Sequence, residues 1–259
     1  MRVTVCELPH ETDALAAAWP ALCEHTIAHG SQLVLLPEFA MLEPVWESDR
    51  FDAARWNAIE NTSELQLCRL PELRAEHVVG TRPARIDGRR LNQGYLWSAG
   101  AGVQPLRSKY FLPEEPGIRE QTWFQRGDPA FPAFHLDTVS FGLNICTELW
   151  ALETYAGYAA LGIDLLLSPR ATELATTTRW IAAGIVASVR SGAFSLSSNR
   201  VDANGVCGGR SWIIDPAGDI LAITSAEQPF ATLDIDLTKA KAGDRYPRYV
   251  FLESCPDAP

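Results

Sequence analysis

The sequence predicts a layered α/β domain, with sheets inside and helices outside. Three observations carry that prediction. Continuously apolar runs such as the one from Gln32 to Leu36, and "IDLLLSP" further on, lack the alternation of a strand with one wet face; they read as strands covered on both sides. Long segments with apolar residues at helical spacing are mixed with strands throughout the chain. No composition break or low-complexity linker divides the 259 residues, 47% of them hydrophobic. One domain over 1–259 is therefore expected, with a short tail from about 240.

The first strand is predicted over Arg2–Leu8. A helix follows from about Thr12 to His29, with Leu15, Trp19, Leu22 and Ile27 near helical spacing and Gly30 placed to end it. The strand over Gln32–Leu36 stops at Pro37, which offers no N–H to a ladder. A second helix is expected from about Asp52 to Leu70. "HVVGTRP" and "RRLNQGYLWSA" read as strands, and the turn at Gly100–Gly102 leads into "VQPLRSKYF", a hairpin signal. Leu112–Pro132 is a long loop rich in Pro and Gly; Trp123, Phe124 and Phe131 argue for an ordered, functional one. Then come strands "AFHLDTV" and "SFGLNIC", a helix from about Trp150 to Leu161, the strand "IDLLLSP" and a helix over about Thr177–Ser191. The strands "AFSLSSN", "RSWIIDP", "ILAIT" and "FATLDIDL" complete the series.

The net charge of −10 and the scattering of basic residues, apart from Arg82–Arg90, speak against a nucleic-acid partner. No stretch reaches the roughly 18 apolar residues of a membrane span, and no apolar run precedes a small-residue cleavage site. A cytoplasmic protein without a membrane partner is expected. The six cysteines show no CxxC pair and read as free thiols.

Three residues at strand ends carry the chemistry. Glu38 follows "LVLLP"; alone it reads as a solvated loop acid, but at the rim of a low-dielectric pocket it becomes a general base. Lys109 follows "PLRS"; alone it is an edge lysine, whereas beside a thiol it is a fixed cation for an oxyanion. Cys146 ends "SFGLNIC" before an expected helix, whose N-terminus would favour a thiolate, and the Thr147 N–H is placed to meet an oxyanion. Its bland reading is a small buried hydrophobe.

Taken in order, "LVLLPEF", "RSKYFLP" and "GLNICTELWALE" resemble the motifs of the nitrilase superfamily, carbon–nitrogen hydrolases with a Glu-Lys-Cys triad. The likeness runs from about Arg2 to Leu237, including "LLLSPRAT", "SSNRV" and "GRSWIIDPAGDILA". The resemblance implies a four-layer αββα sandwich, Glu38 as base, Lys109 as oxyanion cation and Cys146 as nucleophile. It implies a second active-site glutamate in "LPEEPGIREQTWFQRGD": Glu120, with Glu115 as the alternate. It places Thr147, Glu148 and Arg170 at the substrate, with Trp150, Tyr155 and Trp180 as candidate pocket walls. It implies no metal or organic cofactor, a small amide, carbamoyl or nitrile substrate, and a homodimer or larger even assembly. Thr147 stands where the family usually has an aromatic residue, and Leu152 where it usually has proline.

An amidase is therefore expected, with a nitrilase as the alternative inside the family and a non-catalytic binding scaffold as the alternative outside catalysis. A Cys-His hydrolase would need His135, the histidine nearest Cys146 in sequence, beside the thiol.

Overall fold

The computed structural model describes residues 1–241; the tail expected beyond about 240 and Cys255 lie outside them. In chain order the elements are β1 (Arg2–Pro9), α1 (Thr12–His29), β2 (Leu33–Leu35), α2 (Ala53–Leu67), β3 (His77–Ile86), β4 (Arg89–Ser98) and β5 (Gly102–Ser108). The short hairpin β6 (Glu114–Glu115) and β7 (Ile118–Arg119) and the single turn α3 (Glu120–Trp123) follow. Then come β8 (Phe134–Leu136), β9 (Val139–Leu143), α4 (Glu153–Leu161), β10 (Leu165–Arg170), α5 (Thr177–Ser191) and β11 (Phe194–Val201). The series ends with β12 (Trp212–Ile214), β13 (Ile220–Ile223), β14 (Phe230–Asp234) and α6 (Thr238–Lys241).

Twelve strands are joined by hydrogen bonds into one sheet, nine of them along a single path. One half runs β5-β4-β3-β2-β1, with β14 also on β1; the other runs β11-β10-β9-β8, with β12 and β13 added on β11. β1 belongs to both halves. It pairs with β2 and β14 along its first part and with β11 over Glu7–Pro9.

The alternation of side chains turns this path into layers. Val3, Val5, Leu33, Leu35 and Val79 of the first half meet Phe141, Leu143, Leu165, Leu167 and Leu196 of the second in one buried core. The other face of the first half, with Val34, Leu36 and Val78, packs on Trp19 and Leu22 of α1 and Leu67 of α2. The other face of the second half, with Leu166, Trp212 and Ile214, packs on Tyr155 and Tyr158 of α4 and Ala183 and Ala187 of α5. The result is helix, sheet, sheet, helix: the expected αββα sandwich.

Strand direction brings distant residues to one rim. β2 is parallel to β1 and β3, and two antiparallel steps through β4 make β5 co-directional with them. β9, β10 and β11 are parallel to one another and, through β11, to β1. The carboxyl ends of β2, β5, β9 and β10 therefore open on the same side, where ligands of such folds bind.

Two local expectations are corrected. The helix expected from about Trp150 begins at Glu153, and Cys146–Trp150 is a separate turn of tighter 3-10 helix. The strand expected to reach Phe111 ends at Ser108. The long loop after it is anchored by Leu112, Trp123 and Phe124, which share a buried cluster with Phe39, Val45 and Trp56. Among the described residues no helix is long and apolar enough to cross a membrane.

Candidate active site

The chain leaves β2 through a strained crossing. Leu36 still bonds the Val79 carbonyl, but after Pro37 the Glu38 N–H donates to the carbonyl of Arg170, at the end of β10 in the other half (3.1 Å). Phe39 and Met41 then adopt left-handed φ angles of 47° and 68°, a conformation non-glycine residues enter at a cost. The Phe39 N–H is held by Thr81 Oγ1 at 2.8 Å. This bend buries the Glu38 carboxylate to 2% exposure.

Lys109 reaches that carboxylate from the end of β5. Its Nζ donates to Glu38 Oε1 at 3.0 Å and to Glu120 Oε1 at 2.7 Å, and the side chain is fully buried. Burial alone would lower the ammonium, but the two carboxylates outweigh it and hold Lys109 above the usual lysine range. Asn92 of β4 completes the frame. Its Nδ2 donates to Glu38 Oε1 at 2.7 Å, and its backbone carbonyl accepts the Lys109 N–H at 2.8 Å.

Glu120 opens α3 and is 4% exposed. Burial pushes its carboxyl up to about 8, against the pull of Lys109 and with a further push from Glu38. Its Oε2 has no hydrogen-bond partner among the described residues.

Cys146 follows β9 with a left-handed φ of 51°. Its Sγ lies 3.9 Å from the Ala171 carbonyl. Glu38, Glu120, Cys146 and Thr147 line one cavity of about 280 Å³. The thiol is held well above its ordinary range, by burial first and then by the Glu38 charge, with Lys109 pulling the other way. This corrects the expected helix-favoured thiolate: the α-helix starts too far along the chain, and desolvation dominates. At rest the cavity holds a neutral thiol beside an acid–lysine–acid cluster.

The sequence profile of the carbon–nitrogen hydrolases matches residues 2–244. The chain belongs to the carbon–nitrogen hydrolase family. Curated relatives of this carbon–nitrogen hydrolase include the N-carbamoylputrescine amidase of Oryza sativa subsp. japonica, 25% identical over 170 residues, which are 59% of this chain and 56% of that protein. The enzyme of the same name from Arabidopsis thaliana is 26% identical over 169 residues, 58% of this chain and 56% of that protein. The chain thus spans about half the length of the curated relatives it matches.

Among solved structures, a carbon-nitrogen hydrolase from Helicobacter pylori G27 superposes with a TM-score of 0.83 at 18% identity, covering 96% of this chain and 94% of that one. An amidase from Nesterenkonia sp. gives 0.76 at 19% identity, covering 97% and 96%. A mutant of the Nesterenkonia sp. AN1 amidase, bearing a Michael adduct of acrylamide at its active-site cysteine, gives 0.74 at 18% identity, covering 97% and 100%. At such identities the likeness establishes the fold.

The remaining expected site residues of this carbon–nitrogen hydrolase are placed unequally. Thr147 lines the cavity, and its hydroxyl donates to the Phe111 carbonyl at 2.9 Å. Trp150 and Trp180 line it too, whereas Tyr155 is buried on the inner face of α4, with its hydroxyl bonded to the Leu149 carbonyl. Glu115 lies exposed at the mouth, and it is Glu120 that touches Lys109.

Two residues expected at the substrate are interior struts. Glu148 is fully buried, pairs with Arg107 and does not line the cavity. Arg170 is 1% exposed. Its guanidinium donates to Ser197 Oγ, Thr172 Oγ1 and the Arg210 carbonyl and lies over the Trp212 ring, with no place in the cavity wall. Nor does it pair with Glu148 or Glu173. His135 is exposed on β8 and does not line the cavity.

Asn92 was not foreseen. Its only signal was a polar side chain inside the strand "RRLNQGYLWSA", and that pattern equally describes a wet strand face. Among the described residues no group of three or more His, Cys, Asp or Glu side chains is arranged to hold a metal ion.

Proposed function

We propose that this chain is an amidase. It would hydrolyse a small amide or N-carbamoyl compound through an acyl-thioester on Cys146. One observation carries the reading: a buried Glu38–Lys109–Glu120 cluster, linked by bonds of 3.0 and 2.7 Å, borders the cavity that holds the Cys146 thiol.

A thiol kept neutral by burial needs a base at the moment of attack. Glu38 fills that role, with Oε1 held by Lys109 and Asn92 and Oε2 left for the proton. The thiol proton passes to Glu38 as sulfur attacks the carbonyl carbon. The carbonyl becomes an oxyanion, stabilised by the Lys109 ammonium and the Thr147 N–H. On collapse the C–N bond breaks and Glu38 returns its proton to the leaving nitrogen. Glu38 next takes a proton from water, whose hydroxide displaces the acyl group, and the sulfur recovers its proton. An amide yields a carboxylic acid and ammonia; an N-carbamoyl compound yields an amine, ammonia and carbon dioxide. General-base assistance of this kind typically contributes about 10²–10⁴-fold. Glu120, with an unpartnered Oε2 beside Lys109, positions the substrate amide.

The carbamoyl amidases and the amidase among its relatives support an amide or carbamoyl substrate over a nitrile. The cysteine adduct of the Nesterenkonia amidase supports a cysteine nucleophile. An even homo-oligomer belongs to the same reading, with exposed Leu161 on α4 and Val186 on α5 as apolar contact surface.

The test is ammonia release from a panel of linear amides, ω-amides, N-carbamoyl compounds and nitriles, with Cys146→Ala as control. Turnover should vanish in that variant, and a slow substrate should leave an acyl mass on the Cys146 peptide of wild type. Turnover surviving in Cys146→Ala would remove Cys146 as nucleophile.

A further inference from the structure

Arg200, next to last in β11, is 1% exposed. Its Nη2 donates to the Leu42 carbonyl at 2.6 Å, and its Nη1 has no partner among the described residues. A buried charge so thinly bonded is costly, and an orphaned interior donor calls for a reason. The guanidinium also lies over the Trp46 ring, 5.5 Å from its centroid, within reach of a cation–π attraction. Trp46 lines the active-site cavity and stacks on Phe39, with centroids 5.2 Å apart. Phe39 stacks in turn on Phe124, again at 5.2 Å. These rings flank the two buried acids. Phe39 follows Glu38, and the Phe124 N–H donates to the Glu120 carbonyl at 2.7 Å. The Trp46 carbonyl accepts the N–H of Arg119, the residue before Glu120, at 2.6 Å.

We infer that Arg200 is a positioning residue of the active site: it clamps the loop 39–46 through Leu42 and Trp46, and so keeps both Glu38 and Glu120 on Lys109. Where it concerns turnover, the inference rests on the hydrolytic reading above. Arg200 does not line the cavity, so it acts through other groups. The loop needs a clamp. Phe39 and Met41 hold left-handed φ angles, a conformation that persists only where the surroundings impose it. The Thr81 hydroxyl holds the start of the loop, and Arg200 grips its far half. An apolar side chain could fill the same volume. A flat cation both donates to a carbonyl and attracts an indole face, which a lysine does not do equally well. Burial disfavours the Arg200 charge, and Glu38 is among the groups that favour it.

The experiment measures Arg200→Met and Arg200→Lys on the best substrate of the amide panel. Arg200→Met should lower kcat by roughly tenfold to a hundredfold, the scale of a misplacement of about 1 Å at a catalytic group, with KM within about twofold of wild type. Arg200→Lys, which keeps the charge but not both contacts, should fall between. Trp46→Leu cuts the same path, so Arg200→Met combined with Trp46→Leu should be no slower than the slower single variant. A wild-type kcat in Arg200→Met, a loss carried by KM, or losses that multiply in the double variant overturn the inference. Should Arg200→Met fail to fold, Arg200→Lys decides: a lower kcat at unchanged KM upholds the clamp, and a wild-type kcat overturns it. If wild type hydrolyses nothing in the panel, the amidase reading falls and a crystal structure of the folded Arg200 variant decides instead. Trp46 displaced and Glu38 or Glu120 drawn off Lys109 upholds the inference; both bonds to Lys109 unchanged overturns it.

Discussion

Arg107 and Glu148 form a fork-to-fork ion pair in the interior, with Arg107 Nη2 2.9 Å from Glu148 Oε1 and Nη1 bonded to Oε2. The same carboxylate accepts the Tyr110 N–H at 2.7 Å and the Ile145 N–H at 2.9 Å. Tyr110 follows Lys109 and Ile145 precedes Cys146. One side chain therefore spans the two backbones that present the cation and the thiol, which come from opposite sheets of the sandwich.

Glu148→Ala would strand the Arg107 guanidinium in the interior. Removing one partner of a buried pair typically costs about 3–5 kcal/mol, and urea denaturation should show a loss of that order. Glu148→Gln keeps the shape and should lose less stability. It should still lower kcat, because both backbone donors and the arginine would share one amide oxygen.

Glu38 and Lys109 act on the thiol with opposite signs. Glu38→Gln removes a negative charge, so Cys146 should ionise at lower pH than in wild type, although turnover is lost. Lys109→Met should move the ionisation higher. The pH dependence of alkylation, followed on the Cys146 peptide by mass spectrometry, reads both. Identical profiles in the three proteins would show that these charges do not reach the sulfur.

Glu120 links stability to pH. Its carboxyl sits at about 8 in the folded protein against an ordinary value of 4.5. The folded state therefore binds this proton more tightly than the unfolded chain does. The stabilisation is complete below the ordinary value and is lost as pH rises toward about 8. Glu120→Gln should flatten that part of the Tm-against-pH curve. A slope unchanged by the exchange would assign it to other groups.

Asn92→Ala should slow turnover without unfolding the protein. A hydrogen bond to a charged group is worth about 1.5–3 kcal/mol, which as lost transition-state positioning corresponds to roughly tenfold to a hundredfold in kcat. KM should change little, because Asn92 touches Glu38 and Lys109 and does not line the cavity. A loss carried by KM alone would place Asn92 at the substrate.

Glu38, Lys109 and Cys146 were legible because each follows a strand, and strands announce themselves through apolar runs and the residues that stop them. Their convergence follows from strand direction, which no single segment encodes. Arg170 and Glu148 show what a sequence withholds: it gives the residue type at a strand end, but not which face the side chain takes. Arg170 turned inward to Ser197 and Thr172 because β10 is buried on both sides, and its charge needed interior acceptors. The state of the Cys146 thiol was misjudged for a related reason. A helix start one turn further along removed the dipole, and burial, a property of the whole sandwich, decided the sign.

β1 lies between strands that the ribosome makes at opposite ends of its work. Its neighbours are β2, made soon after it, and β11 and β14, with Arg2 opposite Asp234 and Glu7 opposite Asn199. A nascent chain stalled before residue 194 has neither late partner, so its first strand keeps an open edge through most of synthesis. Such an edge templates pairing with other chains, and long-range pairing is slow to form. The growing polypeptide is thus an aggregation hazard that the finished molecule is not, and its yield in a cell should depend on chaperone supply more than its final stability would suggest.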